Sequence, residues 1–306
     1  MIHFPKIQVN WRNSYMNSDR LVGMIAPMVT PFDENEELDL DTTRREVKYL
    51  LNTGIDGIST GGSTGEGASL SNEEIQKIIQ VIVEENRNGI PIVAGVIRNS
   101  TREAIKTGLL SKEAGADALL VTPVFYSGAT PEGNYEYYRL IAEKVGLPII
   151  IYNVVPGNQI TPEVMLKISE IERVIGIKQV GIEVLIAMVS TCGDKTKVFS
   201  ACDDMLYGTY VCGACGAISA MIAAVPDLCV RQWQAFKKGD HKTAMEIQRR
   251  LYFVRETYNF TPFLGMLKET INQLGRPVGK SRSPILEPNG KEKEFIRKKL
   301  IKAGLL

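Results

Sequence analysis

The chain has 306 residues, of which 44% are hydrophobic and 23% are charged, as in an ordinary soluble globular protein. Lys and Arg total 36 against 35 Asp and Glu, so the net charge of +1 attracts neither nucleic acid nor an anionic membrane. No apolar run approaches the ~20 residues that span a bilayer, and the polar N-terminal stretch lacks the apolar core of a signal peptide. We therefore expect a cytoplasmic protein with no nucleic-acid or membrane partner.

Short apolar segments of strand character alternate with helical segments along most of the chain. The predicted strands cover residues 22–27, 54–58, 91–95, 118–122, 149–151, 174–177, 197–200 and 216–219. Helix starts carry capping signals, of which the clearest are Ser71-Asn-Glu-Glu74, Ser100-Thr-Arg-Glu103, Thr130-Pro131 and Thr161-Pro162. This alternation predicts an α/β protein folded as a (β/α)8 TIM barrel. A doubly wound open sheet is the alternative, but no dinucleotide fingerprint follows the first strand.

The strand signal ends near Pro226, and the rest of the chain is typical of helices separated by Gly239-Asp240 and Gly275-Arg276-Pro277. We predict an N-terminal extension over residues 1–20, the barrel over 21–237 and a C-terminal helical appendage over 238–306.

Five cysteines lie late in the chain, and Cys212 and Cys215 have CxxC spacing. A zinc site would need a second ligand pair, but the only histidines, His3 and His241, are distant in sequence. We expect buried free thiols, no metal and no cofactor, with a redox role for the CxxC pair as the alternative.

Two apolar strands in residues 147–180 each end in polar residues. Tyr152-Asn153 follows the first strand and Lys178-Gln179 the second. The carboxyl ends of barrel strands carry the active sites of this fold. Desolvation favours the neutral amine of a lysine, which attacks carbonyl carbons to form Schiff bases, and a neighbouring phenol can move the protons. A solvated or salt-bridged lysine is the plainer interpretation of Lys178 alone.

Residues 61–67 read Gly-Gly-Ser-Thr-Gly-Glu-Gly directly after the second strand. Glycines allow the backbone to direct successive N–H groups at an anion, and the hydroxyls of Ser63 and Thr64 add further donors. The segment is not a Walker A loop, because no Lys-Ser/Thr follows. A plain turn is the alternative to an anion site.

Gly62-Ser-Thr-Gly-Glu66, Tyr152-Asn153 and Gly176-Ile-Lys178, in this order and spacing, resemble the dihydrodipicolinate synthase/N-acetylneuraminate lyase family. The resemblance covers roughly residues 20–300 and implies a Schiff-base lyase or aldolase that acts on a small pyruvate-derived 2-oxo acid. It also implies a homotetramer or homodimer. The roles that it implies are the imine for Lys178, proton relay for Tyr152 and Ser63, carboxylate binding for Ser63, Thr64 and Gly65, and further substrate contacts for Asp203 and Ile218.

Three loops depart from the patterns of this family. Residues 122–126 read Thr-Pro-Val-Phe-Tyr where the synthase has Thr-Pro-Tyr-Tyr, so either Phe125 occupies the place of the relay tyrosine or Tyr126 takes it. We count Tyr126 among the candidate catalytic residues. After Asn153 the chain reads Val-Val-Pro-Gly-Asn158, without the arginine with which the synthase grips the second substrate's carboxylate. Where the sialic acid lyase has Gly-x-Asp-Glu, this chain has Ala-Cys-Asp203-Asp204, and these acids could instead cap the next helix.

The departures leave three functional hypotheses. The first is a lyase or aldolase of a pyruvate-derived 2-oxo acid, in which the arginine that the lysine-pathway synthase needs is missing. The second keeps the imine but is a deaminase or dehydratase of a small oxo or cyclic imine acid, such as pyrroline-4-hydroxy-2-carboxylate deaminase. The third, from another class, is a ligand-binding homologue without turnover.

Overall fold

A computed structural model describes residues 18–306 of the chain. The predicted N-terminal extension over residues 1–20 therefore lies outside the described residues except for a 3-10 turn at Ser18–Arg20. Among residues 18–306, no helix is both long enough and apolar enough to pass through a bilayer.

Eight parallel strands form a closed barrel in sequence order, and the last strand pairs with the first. Their bounds are β1 Gly23–Pro27, β2 Gly57–Thr60, β3 Ile92–Val96, β4 Ala118–Val121, β5 Ile149–Asn153, β6 Val174–Gln179, β7 Lys197–Ser200 and β8 Gly216–Ile218. Each predicted strand corresponds to one of these. The (β/α)8 TIM barrel is therefore confirmed, and the open doubly wound sheet is wrong.

Helices follow the strands, and further helices follow β8. Within the described residues they are α1 Leu40–Leu51, α2 Asn72–Glu85, α3 Thr101–Ala114, α4 Pro131–Val145, α5 Pro162–Ile168, α6 Ile182–Cys192, α7 Leu206–Val211, α8 Ala220–Ala224, α9 Pro226–Lys237, α10 His241–Thr257, α11 Phe263–Gln273 and α12 Gly290–Lys302. The C-terminal helical extension is therefore confirmed.

The predicted caps are present at the helix starts. Ser71 and Glu74 form both hydrogen bonds of a capping box, and Thr130 and Thr161 each cap a helix that has Pro in its first turn. Ser100 accepts a single bond from the Glu103 N–H and is a simple N-cap.

The strands alternate between two packed layers, as strand geometry requires. Ile150 and Tyr152 of β5 belong to the cluster inside the barrel, whereas Ile149 and Ile151 pack in the layer between strands and helices. The inside cluster comprises Leu21, Ile25, Val93, Ala118, Leu120, Ile150, Tyr152, Phe199 and Ile218. Because Ile177 of β6 packs in the outer layer, the next side chain, Lys178, faces the barrel interior.

The barrel closes where β8 meets β1, and two glycines meet at this seam. Gly23 pairs with Gly216, and both have positive φ angles, of 83° and 148°. A β-carbon at position 216 would lie 2.1 Å from the carbonyl oxygen of Gly23. The close approach of the two backbones therefore requires glycine at position 216.

Candidate active site

Lys178 and Tyr152 face each other on neighbouring strands inside the barrel. They are register partners in the β5–β6 pair, and the Lys178 Nζ lies 3.7 Å from the centroid of the Tyr152 ring. Lys178 is 4% exposed and Tyr152 is 6% exposed. The two residues singled out in the sequence are therefore in direct contact, with an amine held over an aromatic face and largely removed from water.

A β-bulge in β6 sets this register. Ile149 pairs with Val174, but Ile150 pairs with Gly176, so Ile175 is an extra residue in β6. A one-residue shift in register would turn Lys178 to the other face of the sheet. The bulged residue, Ile175, thus lies three residues before Lys178, whose side chain it directs into the barrel.

The 61–67 loop follows the carboxyl end of β2 and folds tightly on itself. The Glu66 N–H donates to the Ser63 carbonyl at 3.1 Å, and the Gly67 N–H donates to the Gly62 carbonyl at 2.9 Å. A β-carbon at Gly67 would lie 1.7 Å from the Gly61 carbonyl oxygen, so the loop cannot take this shape with a side chain there. Thr64 is buried and Ser63 is half-buried.

The Glu66 side chain forms an ion pair that the sequence analysis did not predict. Its Oε1 lies 2.7 Å from the Nζ of Lys268 on α11. A signal was present, because Lys268 lies between Leu267 and Ile271 on the buried face of α11. A charged residue at such a position needs a buried partner.

Asn153, the residue after Tyr152, shapes the 154–160 loop. Its side-chain amide donates to the Ile160 carbonyl and to Gln179 Oε1, and its Oδ1 accepts from the Ile160 N–H. Asn153 and Gln179 are both buried, so their side chains are structural links between the ends of β5 and β6.

Asn158 lies in the 154–160 loop, where the sequence comparison predicted the loss of the synthase's arginine. Its side chain is buried, donates to the Val124 carbonyl at 3.0 Å, and exchanges hydrogen bonds with Asn134 of α4. Asn158 therefore joins two loops of the barrel mouth. The pairing with Asn134 was not predicted, because the two residues are separated along the chain.

Phe125 and Tyr126 project from the single chain. Phe125 is 43% exposed and Tyr126 is 88% exposed, while their backbone N–H groups both donate to Asn99 Oδ1 at 3.0 Å. The structure does not bring the Tyr126 side chain into the cluster that contains Tyr152.

Asp203 lies after β7 and accepts a 2.5 Å hydrogen bond from the Ser219 hydroxyl. It does not cap α7, whose N-cap is Met205 and lacks a side-chain cap bond. Burial raises the pKa of the Asp203 carboxyl, although Ser219, Arg255 and Lys178 all oppose that rise. The hydrogen bond thus joins Asp203 to Ser219. The residue before Ser219, Ile218, lines the barrel interior.

Arg98 and Arg282 lie near the mouth of the barrel, and either could replace the missing arginine as the partner of a substrate carboxylate. The Arg98 guanidinium donates to the carbonyls of Gly67 and Leu70, and the Arg282 guanidinium pairs with Glu74 at 2.7 Å. Both guanidiniums therefore hold protein groups in this structure.

The CxxC pair consists of free thiols. Burial raises the pKa of Cys215 to about 12, so this thiol stays protonated near neutral pH and is a poor nucleophile. Within residues 18–306, no three His, Cys, Asp or Glu side chains cluster as a metal site would require.

A comparison with known families assigns the chain. The profile of the Dihydrodipicolinate synthetase family matches residues 20–303. The chain belongs to this family. Its lyase and TIM-barrel character follow from the membership, which also agrees with the motifs at the strand ends.

Curated relatives of this dihydrodipicolinate synthetase family member match over almost its whole length. The 4-hydroxy-tetrahydrodipicolinate synthase of Bartonella bacilliformis is 32% identical over 292 residues, which cover 94% of this chain and 99% of the relative. The enzyme of the same name from Cereibacter sphaeroides is 34% identical over 289 residues, with coverage of 93% and 99%.

Solved structures share the fold. YagE, a prophage protein of the dihydrodipicolinic acid synthase family from E. coli K12 in complex with pyruvate, has a TM-score of 0.88 and 26% identity, covering 94% of this chain and 99% of YagE. The chloride-inhibited dihydrodipicolinate synthase from Acinetobacter baumannii, complexed with pyruvate, has a TM-score of 0.89 and 28% identity, with coverage of 93% and 99%. The chain is thus similar to two proteins described with bound pyruvate.

Proposed function

We propose that the protein is a class I lyase or aldolase that forms a Schiff base between Lys178 and a pyruvate-like 2-oxo acid. The observation that carries the proposal is the buried Lys178 amine over the Tyr152 ring, at the carboxyl end of the barrel. The pyruvate in the complexes of YagE and the Acinetobacter enzyme supports the substrate class.

In the proposed reaction the lone pair of the Lys178 nitrogen attacks the C2 carbonyl carbon of the 2-oxo acid, and one proton moves from this nitrogen to the carbonyl oxygen to give a carbinolamine. The carbinolamine oxygen takes a proton from the Tyr152 phenol and leaves as water, and the nitrogen lone pair completes the imine. The protonated imine then withdraws electrons from C3, which allows a bond at that carbon to break or form. The nitrogen keeps its remaining proton in the protonated imine, so the Tyr152 phenolate regains its proton from solvent through the relay.

The remaining candidate residues have roles in binding and proton relay. We propose that Ser63, Thr64 and Gly65 bind the substrate carboxylate through the backbone N–H groups and hydroxyls of the 61–67 loop. Asp203 and Ile218 contact the rest of the substrate. We propose that Tyr126 completes the proton relay of a neighbouring subunit in a cytoplasmic homotetramer or homodimer, since its ring is exposed in the single chain.

Borohydride trapping tests the proposal. Pyruvate at millimolar concentration followed by borohydride should add one pyruvate-derived group to the peptide that contains Lys178, as measured by mass spectrometry. Lys178→Ala should abolish the adduct, whereas Lys195→Ala, at an exposed lysine before β7, should leave it unchanged. An unmodified wild-type peptide would refute the Schiff-base mechanism.

A specific observation favours the second hypothesis, a small substrate with a single carboxylate. Asn158 is neutral, and its side-chain amide already donates to Val124 and Asn134, so it offers a second carboxylate neither a cation nor a free N–H. A turnover panel should compare pyruvate plus aspartate semialdehyde, N-acetylneuraminate, a 2-oxo-3-deoxy sugar acid and the hydroxypyrroline carboxylate. Efficient condensation with aspartate semialdehyde would restore the synthase reaction. Trapping without turnover of any compound would indicate the ligand-binding homologue.

A further inference from the structure

The Glu66–Lys268 ion pair joins the 61–67 loop to a helix near the C-terminus. The Nζ–Oε1 distance is 2.7 Å, and the two side chains are 1% and 2% exposed for Lys268 and Glu66 respectively. A pair so completely removed from water is costly unless each charge has its partner, and removal of one partner leaves the other charge uncompensated.

Glu66 has an unusual backbone conformation. Its φ angle is +56°, in the left-handed region that residues with a β-carbon seldom adopt. Both oxygens of its carboxylate are held by C-terminal residues, Oε1 by Lys268 and Oε2 by the backbone N–H of Arg282 at 3.0 Å. The strained residue of the loop is therefore held through its side chain.

Lys268 holds the loop by a second route as well. Its ammonium donates to the carbonyls of Thr30 at 2.6 Å and Lys280 at 2.8 Å. The Thr30 hydroxyl in turn donates to the Gly65 carbonyl at 2.7 Å. Burial lowers the pKa of Lys268, and the Glu66 carboxylate opposes that fall. Lys268 thus acts directly on Glu66 and, through Thr30, on Gly65.

We propose that Lys268 is a positioning residue for substrate binding, which holds the 61–67 loop in the shape that binds the carboxylate of the 2-oxo acid. Lys268 does not touch the substrate in this proposal. It acts by fixing Gly65 and Glu66, so that the adjacent N–H groups and hydroxyls of Ser63 and Thr64 stay directed at the anion. The inference rests on the proposed function, because it assigns the loop to the carboxylate.

A second buried ion pair provides a matched control. Arg276 lies 3.0 Å from Glu46 of α1 and also donates to the carbonyls of Ala223 and Ala224. Like Lys268, it is a buried C-terminal cation that binds an acidic side chain and two carbonyl oxygens. Its partners lie outside the 61–67 loop. Loss of Arg276 should therefore destabilise the protein without altering the loop.

The experiment measures the pyruvate concentration that gives half-maximal borohydride trapping in wild type, Lys268→Met and Arg276→Met. Lys268→Met should raise this concentration about tenfold or more, because small displacements of binding groups are costly. The adduct at saturating pyruvate should still form, since Lys178 is intact. Arg276→Met should lower the thermal midpoint yet keep the half-maximal concentration within about twofold of wild type.

Each outcome has a defined meaning. Absence of trapping in wild type would refute the proposed function, and with it the role of Lys268 in substrate binding, but not the ion pair itself. Normal trapping in wild type with an unchanged half-maximal concentration in Lys268→Met would overturn the inference, as would equal rises in both variants. If Lys268→Met does not fold, Glu66→Gln replaces it, because the amide oxygen still accepts from the Arg282 N–H while the NH2 group offers Lys268 neither a charge nor an acceptor. Glu66→Gln should also raise the pyruvate concentration that gives half-maximal trapping, and an unchanged concentration would again overturn the inference.

Discussion

The side chains of Asn134 and Asn158 exchange two hydrogen bonds, of 2.7 and 3.3 Å, between α4 and the 154–160 loop. Both residues are buried, and Asn158 also donates to the Val124 carbonyl. Asn158 thus connects the loop after β5 both with α4 and, through Val124, with the loop after β4. Asn158 therefore has a structural contact of its own in this loop.

Asn158→Ala should lower the free energy of unfolding by about 1–3 kcal/mol, because the buried amide of Asn134 loses its partner. Urea unfolding followed by circular dichroism gives the value. Gln159→Ala is the matched control, since Gln159 is the exposed neighbour, and its effect should stay within about 0.5 kcal/mol. Equal effects of the two variants would contradict a structural role of Asn158.

Tyr152→Phe should lower kcat by about 10²–10⁴-fold, as expected on loss of a general acid–base group. The ring remains over Lys178, so trapping at saturating pyruvate should persist. Steady-state kinetics measures kcat, and mass spectrometry measures the trapped adduct. Tyr252→Phe removes a hydroxyl from an exposed tyrosine on α10 and should leave both unchanged. Wild-type kcat in Tyr152→Phe would assign the proton transfer to another group.

Tyr126→Phe should lower kcat about tenfold or more if its hydroxyl completes the relay of a neighbouring subunit. The thermal midpoint should change little, because the substitution keeps the ring and removes only a hydroxyl group. Kinetics should be measured together with the oligomeric state by analytical ultracentrifugation. An unchanged kcat in an intact oligomer would mean that the relay consists of Ser63 and Tyr152 alone.

Asp203→Asn should become more stable relative to wild type as the pH rises. Burial raises the pKa of Asp203, so the folded protein binds this proton more tightly than the unfolded chain does. Asp203 therefore stabilises the folded protein most at pH values below 3.8, the ordinary pKa of the group. This contribution to the free energy of unfolding is lost as the pH rises through the pKa of Asp203 in the folded protein.

Unfolding in urea at pH values from about 4 to 8 tests the Asp203 prediction, since asparagine does not titrate in this range. The exposed neighbour provides a control, because Asp204→Asn should change the free energy of unfolding at neutral pH by no more than about 0.5 kcal/mol. A difference between Asp203→Asn and wild type that is constant with pH would contradict the prediction.

Gly216→Ala should lower the free energy of unfolding by about 2–4 kcal/mol or prevent folding, because the new β-carbon meets the backbone of Gly23 at a strained φ. Gly290→Ala is the control. Nothing lies within 4 Å of a β-carbon there, so that variant should be neutral or slightly more stable. Urea unfolding compares them, and a Gly216→Ala variant as stable as wild type would show that the seam can relax.

The sequence predicted those parts of the fold that depend on local signals. Apolar runs marked the eight strands, and Ser71, Thr130 and Thr161 marked helix starts with side-chain hydrogen bonds. The starts of α6 and α7 were not predicted, because Gly181 and Met205 make no side-chain cap bond.

The sequence likewise predicted some residues of the candidate site and missed others. Lys178 and Tyr152 were identified because each directly follows an apolar strand, and parallel neighbours bring such positions together. The partners of Glu66 and Asn158 were missed, because Lys268 and Asn134 come from distant segments and only the closed fold brings them near. Side-chain pairing of this kind has no spacing rule in the sequence.

The pairing of Gly23 with Gly216 also affects the order of assembly. Those two residues are about 190 positions apart, whereas the other strand pairs join segments that are much closer in sequence. Contacts between residues so far apart in the chain form slowly. Until β8 has been synthesised and has docked, β1 leaves one edge unpaired, and an unpaired edge is a template for intermolecular pairing. Partly folded chains should therefore aggregate through β1, and lower chain concentration during refolding should raise the yield of closed barrels.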